Sequence, residues 1–222
     1  FEQVEHVSCY DSTDGRVLLN PIMGGVPSYT TDWGGINPLS LVAGVYTYTI
    51  TDQNNCVFTD TVLVGQPDTF SITYNITNVS CFNGNNGLVI PNILGGTPPY
   101  VEAWQGSNPM QLTAGYHYYS LIDDNACTYS DSVFVSEPIE ISISETIVDV
   151  LCNGENSGMV SLNISGGTPP YSQVWYGFNN LNLTAGNYIY DVIDSNNCIY
   201  SSIVSISQPS PITVFSNVIQ PT

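Results

Sequence analysis

The chain repeats itself. Trp33, Trp104 and Trp175 recur at intervals of 71 residues, as do Cys56, Cys127 and Cys198 and the pairs Gly24-Gly25, Gly95-Gly96 and Gly166-Gly167. A period of this length restricts the fold to a tandem array of one small unit. The first cysteines, Cys9, Cys81 and Cys152, are spaced by 72 and 71, so the first unit holds one extra residue before Gly24. Pro21, at a β-bulge, is the expected insertion. The predicted repeats are 1–67, which lacks its N-terminal part, 68–138 and 139–209, with 210–222 as the first strand of a further one. The chain starts inside a first strand and stops one residue short of the next expected cysteine, which predicts a polypeptide that continues in both directions.

Strand periodicity sets the fold class. After each L-x-A-G run, alternate residues form one apolar face: Tyr46, Tyr48 and Ile50, then His117, Tyr119 and Leu121, then Tyr188, Tyr190 and Val192. Such alternation marks half-buried strands. Val17, Val89 and Val160 take one inward site on the second strand, and Ile22, Ile93 and Ile164 another. Phe58, Tyr129 and Tyr200, with Val62, Val133 and Val204, do the same on the last strand. No segment sustains a helical period. Short strands with frequent turn signals predict an all-β fold of tandem immunoglobulin-like β-sandwich repeats, about 71 residues each. Trp33, Trp104 and Trp175 are then core residues, and the runs Leu41 to Tyr46 and Leu183 to Tyr188 resemble tyrosine corners.

Charge removes several partner classes. Nineteen acidic residues face one basic residue, Arg16, for a net charge of -18. This field repels nucleic acid and anionic membranes, and no stretch approaches the roughly 20 apolar residues of a membrane helix.

Six cysteines in equivalent pairs, without C-x2-C knuckles or accompanying histidines, read as disulfides rather than a metal cage. The expected pairing is within each repeat: Cys9 with Cys56, Cys81 with Cys127, and Cys152 with Cys198. Each bridge would supplement a small core in an oxidising compartment. The alternative pairs Cys56 with Cys81 and Cys127 with Cys152 across the joints, and leaves Cys9 and Cys198 without partners.

The order V-S-C-F-N-G-N-N-G at 79–87, G-G-T-P-P-Y at 95–100, Trp104, L-T-A-G at 112–115 and D-D-N-A-C-T at 123–128 resembles the SprB-type repeat of Bacteroidetes surface adhesins. The third unit matches too, with G-G-T-P-P-Y at 166–171 and D-S-N-N-C at 194–198, while the first departs at G-G-V-P-S-Y, 24–29. The resemblance implies long cell-surface proteins exported by the type IX route and acting in gliding motility and adhesion. It also brings an O-glycosylation signal of Asp, Ser or Thr, then an aliphatic residue, which makes Thr61 and Ser132 glycosylation candidates. The N-x-S/T matches at Asn75, Asn78, Asn163 and Asn182 would matter only in a eukaryotic secretory route.

Candidate chemistry is sparse. His6 and His117 are the only histidines, and His117 takes a place that is tyrosine in the sister units, so no catalytic constellation is expected. Asp52 and Asn54, Asp123 and Asn125, and Asp194 and Asn196 offer oxygens for a weak calcium site, against a plain reading as β-turn residues. The three tryptophans would bind sugar only if exposed. The expectation is a non-enzymatic extracellular stalk of a bacterial surface adhesin, without cofactor. The alternatives are a self-assembling filament subunit or a weak multivalent carbohydrate-binding array. Its partners would be neighbouring repeats, surface polysaccharide or other copies of itself.

Overall fold

The computed structural model describes residues 2–217. Among them are fifteen strands and no helix, five strands to each repeat. The first repeat holds β1 (Glu2–Glu5), β2 (Arg16–Leu19), β3 (Thr30–Asp32), β4 (Gly44–Thr51) and β5 (Val57–Val64). The second holds β6 (Ser71–Thr77), β7 (Leu88–Leu94), β8 (Val101–Trp104), β9 (Gly115–Ile122) and β10 (Thr128–Val135). The third holds β11 (Ser142–Val148), β12 (Met159–Ser165), β13 (Ser172–Val174), β14 (Gly186–Ile193) and β15 (Ile199–Ile206). In every repeat the first two strands form a two-stranded sheet and the last three a three-stranded one with the fourth strand central. Strand pairing is antiparallel in the repeats, from Val4 opposite Val17 in β1 and β2 to Tyr188 opposite Val204 in β14 and β15. The fold is therefore the expected all-β, immunoglobulin-like architecture, in a reduced five-stranded form.

The chain divides into two compact units, one of Phe1–Ile76, Val89–Pro109 and Tyr116–Phe134, the other of Thr77–Leu88, Met110–Gly115 and Val135–Thr222. In the first, Val7, Val17, Trp33, Leu41, Tyr48 and Val64 belong to one buried cluster, all from repeat 1. In the second, Val150, Val160, Trp175, Leu183, Tyr190 and Val204 belong to another, all from repeat 3. The alternating faces explain this. Tyr188, Tyr190 and Val192 point inward from β14 while Ile189 is exposed between them.

Trp33 and Trp175 are 8% exposed and stack near Tyr48 and Tyr190 with ring centroids 4.9 Å apart. Trp104 is only half-buried. It lies over Tyr119 at 4.7 Å and donates its indole N–H to Glu102 at 3.0 Å. The tyrosine corners are formed: the Tyr46 and Tyr188 hydroxyls donate to the Val42 and Thr184 carbonyls, each at 3.0 Å. In the second repeat His117 holds this place, buried and bonded to Ser107 at 3.2 Å.

The L-x-A-G leucine also closes each sandwich. Leu41, Leu112 and Leu183 form isolated bridges with Gly15, Gly87 and Gly158. Glycine is required there because a Cβ on Gly158 would lie 2.8 Å from both Leu183 O and Ile206 Cγ2.

Three expectations are corrected. The register of β1 with β2 is regular and β2 ends at Leu19, so the extra residue near Pro21 lies beyond a shortened strand and not in a bulge. Phe58 is not an inward residue; it is 55% exposed, whereas Val62 is buried. The strand expected over 210–222 is not formed in residues 210–217, and 218–222, like Phe1, lie outside the described residues.

Candidate functional site: the covalent joint

The cysteines do not pair as expected. Cys9 is bonded to Cys127 and Cys81 to Cys198, with Cα separations of 5.6 Å, while Cys56 and Cys152 are free and exposed. Each bridge thus runs from the first cysteine of one repeat to the second cysteine of the next. Strand geometry rules out the within-repeat bridge. Val7 donates its N–H to Gly65 O at 3.1 Å, which puts the Cys9 turn at the far end of β5. Cys56 sits at the near end, so about nine residues of strand, roughly 30 Å, separate the two, against the Cα limit of about 7 Å for a cystine.

Two short motifs build the joint. On the donor side, the buried residues Val7, Val79 and Val150 anchor the turns that carry Cys9, Cys81 and Cys152. The residue before each linker proline braces its turn: the N–H groups of Asp11, Asn83 and Gly154 donate to the side chains of Gln66, Glu137 and Gln208 at 3.2, 2.6 and 2.8 Å. Turn and linker therefore form one preassembled end.

On the acceptor side stands D-x-N-x-C. Asp123 Oδ1 accepts the N–H groups of Asn125 (3.0 Å) and Cys127 (2.8 Å), and Oδ2 accepts that of Thr97 (2.8 Å). The tight turn so held lets Asn125 Nδ2 donate to the Ser8 carbonyl of the preceding repeat at 3.0 Å, beside the cystine. The second joint copies the first. Asp194 accepts from Asn196, Cys198 and Thr168 at 2.8, 2.9 and 2.9 Å, and Asn196 Nδ2 donates to Ser80 O at 3.0 Å.

The linker finishes the contact. It lies along the glycine pair, where Gly96 donates to Asp68 O at 2.8 Å and Gly167 to Ile139 O at 2.7 Å. A Cβ on Gly95 or Gly166 would sit 2.0 or 1.9 Å from the carbonyl oxygen of Thr69 or Glu140, so only glycine admits the linker. Phe70 then packs on Tyr100 and Tyr129, with centroids at 6.3 and 5.9 Å, and Ile141 fills the same place in repeat 3, 8% exposed.

The other predicted site residues fall as follows. The calcium candidates are the turn braces just described, with Asp52 bonded likewise to the N–H groups of Asn54, Cys56 and Val26. These N–H groups, that of Val26 first, hold the Asp52 carboxyl below the usual carboxylate range. Among the described residues no group of three or more His, Cys, Asp or Glu side chains is placed to hold a metal ion. Thr61 is exposed on β5 and Ser132 half-buried on β10, each with its N–H on the preceding aspartate. His6 accepts the Gly65 N–H at 2.9 Å, a structural contact. That Asn125, Asn196 and the glycine pairs serve the joint was not among the sequence expectations. Their strict recurrence was the available signal.

One family model and several solved structures are similar to the chain. The SprB repeat model matches residues 73–108 and 144–180. No curated protein matches. Among solved structures, the N-terminal eight Ig domains of Down Syndrome Cell Adhesion Molecule align with 94% of this chain at 11% identity and a TM-score of 0.39. The S-layer protein rSbsC(31-844) aligns with 96% at 12% identity and a TM-score of 0.29. The chain spans 36% and 41% of the length of these two structures. The resemblance carried by the motifs of the second and third repeats is thus that of the SprB repeat, matched once in each.

Proposed function

We propose that this chain is a segment of the extracellular repeat region of a cell-surface adhesin and works there as a load-bearing stalk. The observation that carries this reading is the joint: Cys9–Cys127 and Cys81–Cys198 bond each repeat to the next, so tension passes through sulfur as well as through backbone. Cystines of this kind persist where the medium is oxidising, which supports placement outside the cell. The SprB repeat matches support an adhesin. Their finer implication is a protein exported by the type IX route that acts in gliding, with sugars on Thr61 and Ser132. A carbohydrate-binding array draws no support from the tryptophans, since Trp33 and Trp175 are buried. The chain acts without chemistry of its own: it holds length and displays whatever lies beyond it.

Thiol labelling of intact cells producing the parent protein tests the reading. A membrane-impermeant maleimide should reach Cys56 and Cys152 unless these are themselves bonded, and should leave Cys9, Cys127, Cys81 and Cys198 unmodified until a reductant is added. Labelling of all six only after lysis would place the chain inside the cell and end the proposal.

A further inference from the structure

Three aromatic rings of repeat 2 face away from its core. Tyr116, Tyr118 and Phe134 are 65%, 55% and 52% exposed. On β9 the two tyrosines alternate with the buried His117 and Tyr119, and on β10 Phe134 lies between the buried Val133 and Val135. The Tyr116 and Phe134 rings meet across the two strands with centroids 5.0 Å apart and planes tilted by 56°. Tyr118 stands two residues further along β9, about 7 Å from Tyr116, so the rings form an elongated platform. Hydroxyls continue the same face: Ser120 on β9, and Ser130 and Ser132 on β10. No charged residue takes an outward position on β8, β9 or β10. Glu102 lies opposite the buried Leu121 and accepts the Trp104 indole N–H, which assigns its side chain to the other face.

The fold does not ask for these rings. Tyr116 corresponds to Val45 and Asn187, Tyr118 to Thr47 and Ile189, and Phe134 to Leu63 and Ser205, all exposed. A cross-strand ring pair does steady a sheet. That accounts for Tyr116 with Phe134 but not for Tyr118, which faces Ser132 in the register of the sister strands, where Ile189 faces Ile203. Exposed apolar surface gathered in this way marks a contact surface. Charge and polarity then select what it contacts. With a net charge of -18 and a single basic residue, Arg16, held beside Glu5, the chain repels anionic partners and further copies of itself. A basic peptide would find no carboxylate on this face. An apolar helix or strand would cover the hydroxyls of Tyr116, Tyr118, Ser130 and Ser132 without bonding them, which is costly. A sugar ring satisfies both parts, since its C–H groups lie on aromatic faces and its rim carries uncharged hydroxyls that donate and accept.

We propose that the outward face of β8, β9 and β10 is a binding site for a neutral polysaccharide, with Tyr116, Tyr118 and Phe134 stacking on sugar rings and Ser130 and Ser132 bonding sugar hydroxyls. The site belongs to repeat 2 alone, because the same face carries no aromatic ring on β4 and β5 or on β14 and β15. It is separate from the tryptophans, which lie on the inner faces. The constant frame of strands thus leaves its outer positions free to differ from repeat to repeat, and in one repeat they present a ligand surface. This goes beyond the stalk reading, which rests on the cystines, and does not depend on it.

The experiment runs the full oxidised chain in native gels cast with dissolved galactomannan, xyloglucan, dextran or mixed-linkage glucan, with alginate as the anionic control. Retardation by at least one neutral polymer and none by alginate is the expected result. Tyr116→Val and Tyr118→Thr install the residues that repeat 1 carries at these places, so the strands keep residues suited to them while losing the rings. Each should weaken the affinity read from the retardation by roughly fivefold or more, with the melting temperature unchanged. Val45→Ala, on the same face of repeat 1, should leave the affinity as it was. No retardation by any of the neutral polymers, retardation that survives both tyrosine substitutions, or retardation by alginate alone would overturn the proposal. So would self-association, seen by sedimentation, that Tyr118→Thr abolishes, since a second copy would then be what covers the face. Any of these failures leaves the stalk reading standing, because thiol labelling on cells tests that reading separately.

Discussion

Pulling the chain by its ends distinguishes the observed cystines from every other pairing. The two bridges overlap, since Cys81 lies inside the loop closed by Cys9–Cys127 and Cys127 lies inside the loop closed by Cys81–Cys198. In the oxidised chain the shortest covalent path from Cys9 to Cys198 crosses to Cys127, runs back about 46 residues to Cys81 and crosses again. At about 3.5 Å per extended residue this path is roughly 160 Å, against roughly 660 Å for the same stretch when reduced, so reduction under load should release about 500 Å. Total length alone does not decide, because three within-repeat bridges would shorten the chain similarly. Single substitutions do. Cys56→Ser should leave the unfolded length of the oxidised chain unchanged, and Cys127→Ser should lengthen it by about 85 Å, because the stretch from Cys9 to Cys81 then replaces the shorter way back. The assay is force spectroscopy with handles at both termini. A gain of about 160 Å on Cys56→Ser is what a Cys9–Cys56 bond requires, and would refute the joint.

Gly158→Ala should destabilise the chain by about 1–3 kcal/mol in urea unfolding, since the added methyl meets Leu183 O and Ile206 Cγ2 at 2.8 Å; an unchanged midpoint would contradict the close approach. Ala126 has φ 62°, where its sister positions carry Asn55 and Asn197, so Ala126→Asn should raise the melting temperature, with a gain of up to about 1 kcal/mol. Acid should destabilise the fold: Asp14 is held down to about 2, first by its bond to the Ser8 side chain, and Asp131 is held low, first by the Tyr74 hydroxyl. Below an ordinary carboxylate value of about 4 the unfolded chain binds more protons than the folded one, so the melting temperature should fall between about pH 4 and pH 2 and be flat just above. Alkali acts through tyrosine. Burial first, then bonds to Glu2, Asp131 and Glu145, push the hydroxyls of Tyr48, Tyr74 and Tyr190 up, so the stability present below about pH 10 should be lost above it. Tyrosinate absorbance that rises together with unfolding, and not before it, is the sign to look for.

Period and alternation made the strands, the tyrosine corners and the two buried tryptophans readable, because each depends on residues close in sequence. The cystine partners were not readable that way. Spacing along the chain does not tell which end of a strand a turn occupies, and Cys9 and Cys56 lie at opposite ends of β5 despite belonging to one repeat. Three complete pairs also favoured pairing inside each repeat, but that count has force only for a closed set. When each bridge joins one repeat to the next, an even count within three repeats says nothing about pairing inside them. Phe58 misled in a second way, since it has the pattern of an inward residue and is 55% exposed, whereas its counterpart Tyr129 packs on the linker's Phe70. The weak calcium reading had a related origin: Asp, Asn and the turn were seen, but the groups that satisfy the aspartate are N–H donors of the turn itself and of the loop after the glycine pair, Val26, Thr97 and Thr168.

The glycine pair, aspartate, asparagine and cysteine of the joint recur in all three copies, as do core positions such as Val17, Val89 and Val160, but other core positions vary. A core site asks only for apolar volume of about the right size, and so admits Leu121 where its sisters have Ile50 and Val192, or His117 where they have tyrosine. The joint asks for particular backbone and side-chain groups at fixed places: no Cβ where the linker crosses, a carboxylate to hold the turn, an amide to reach the carbonyl of the previous repeat, a sulfur beside it. Each of these is fixed by its chemistry and not by volume alone, and all of them recur in all three copies. The same motif also makes the stability of a repeat depend on its neighbour, because Phe70 and Ile141 complete cores that begin after the linker.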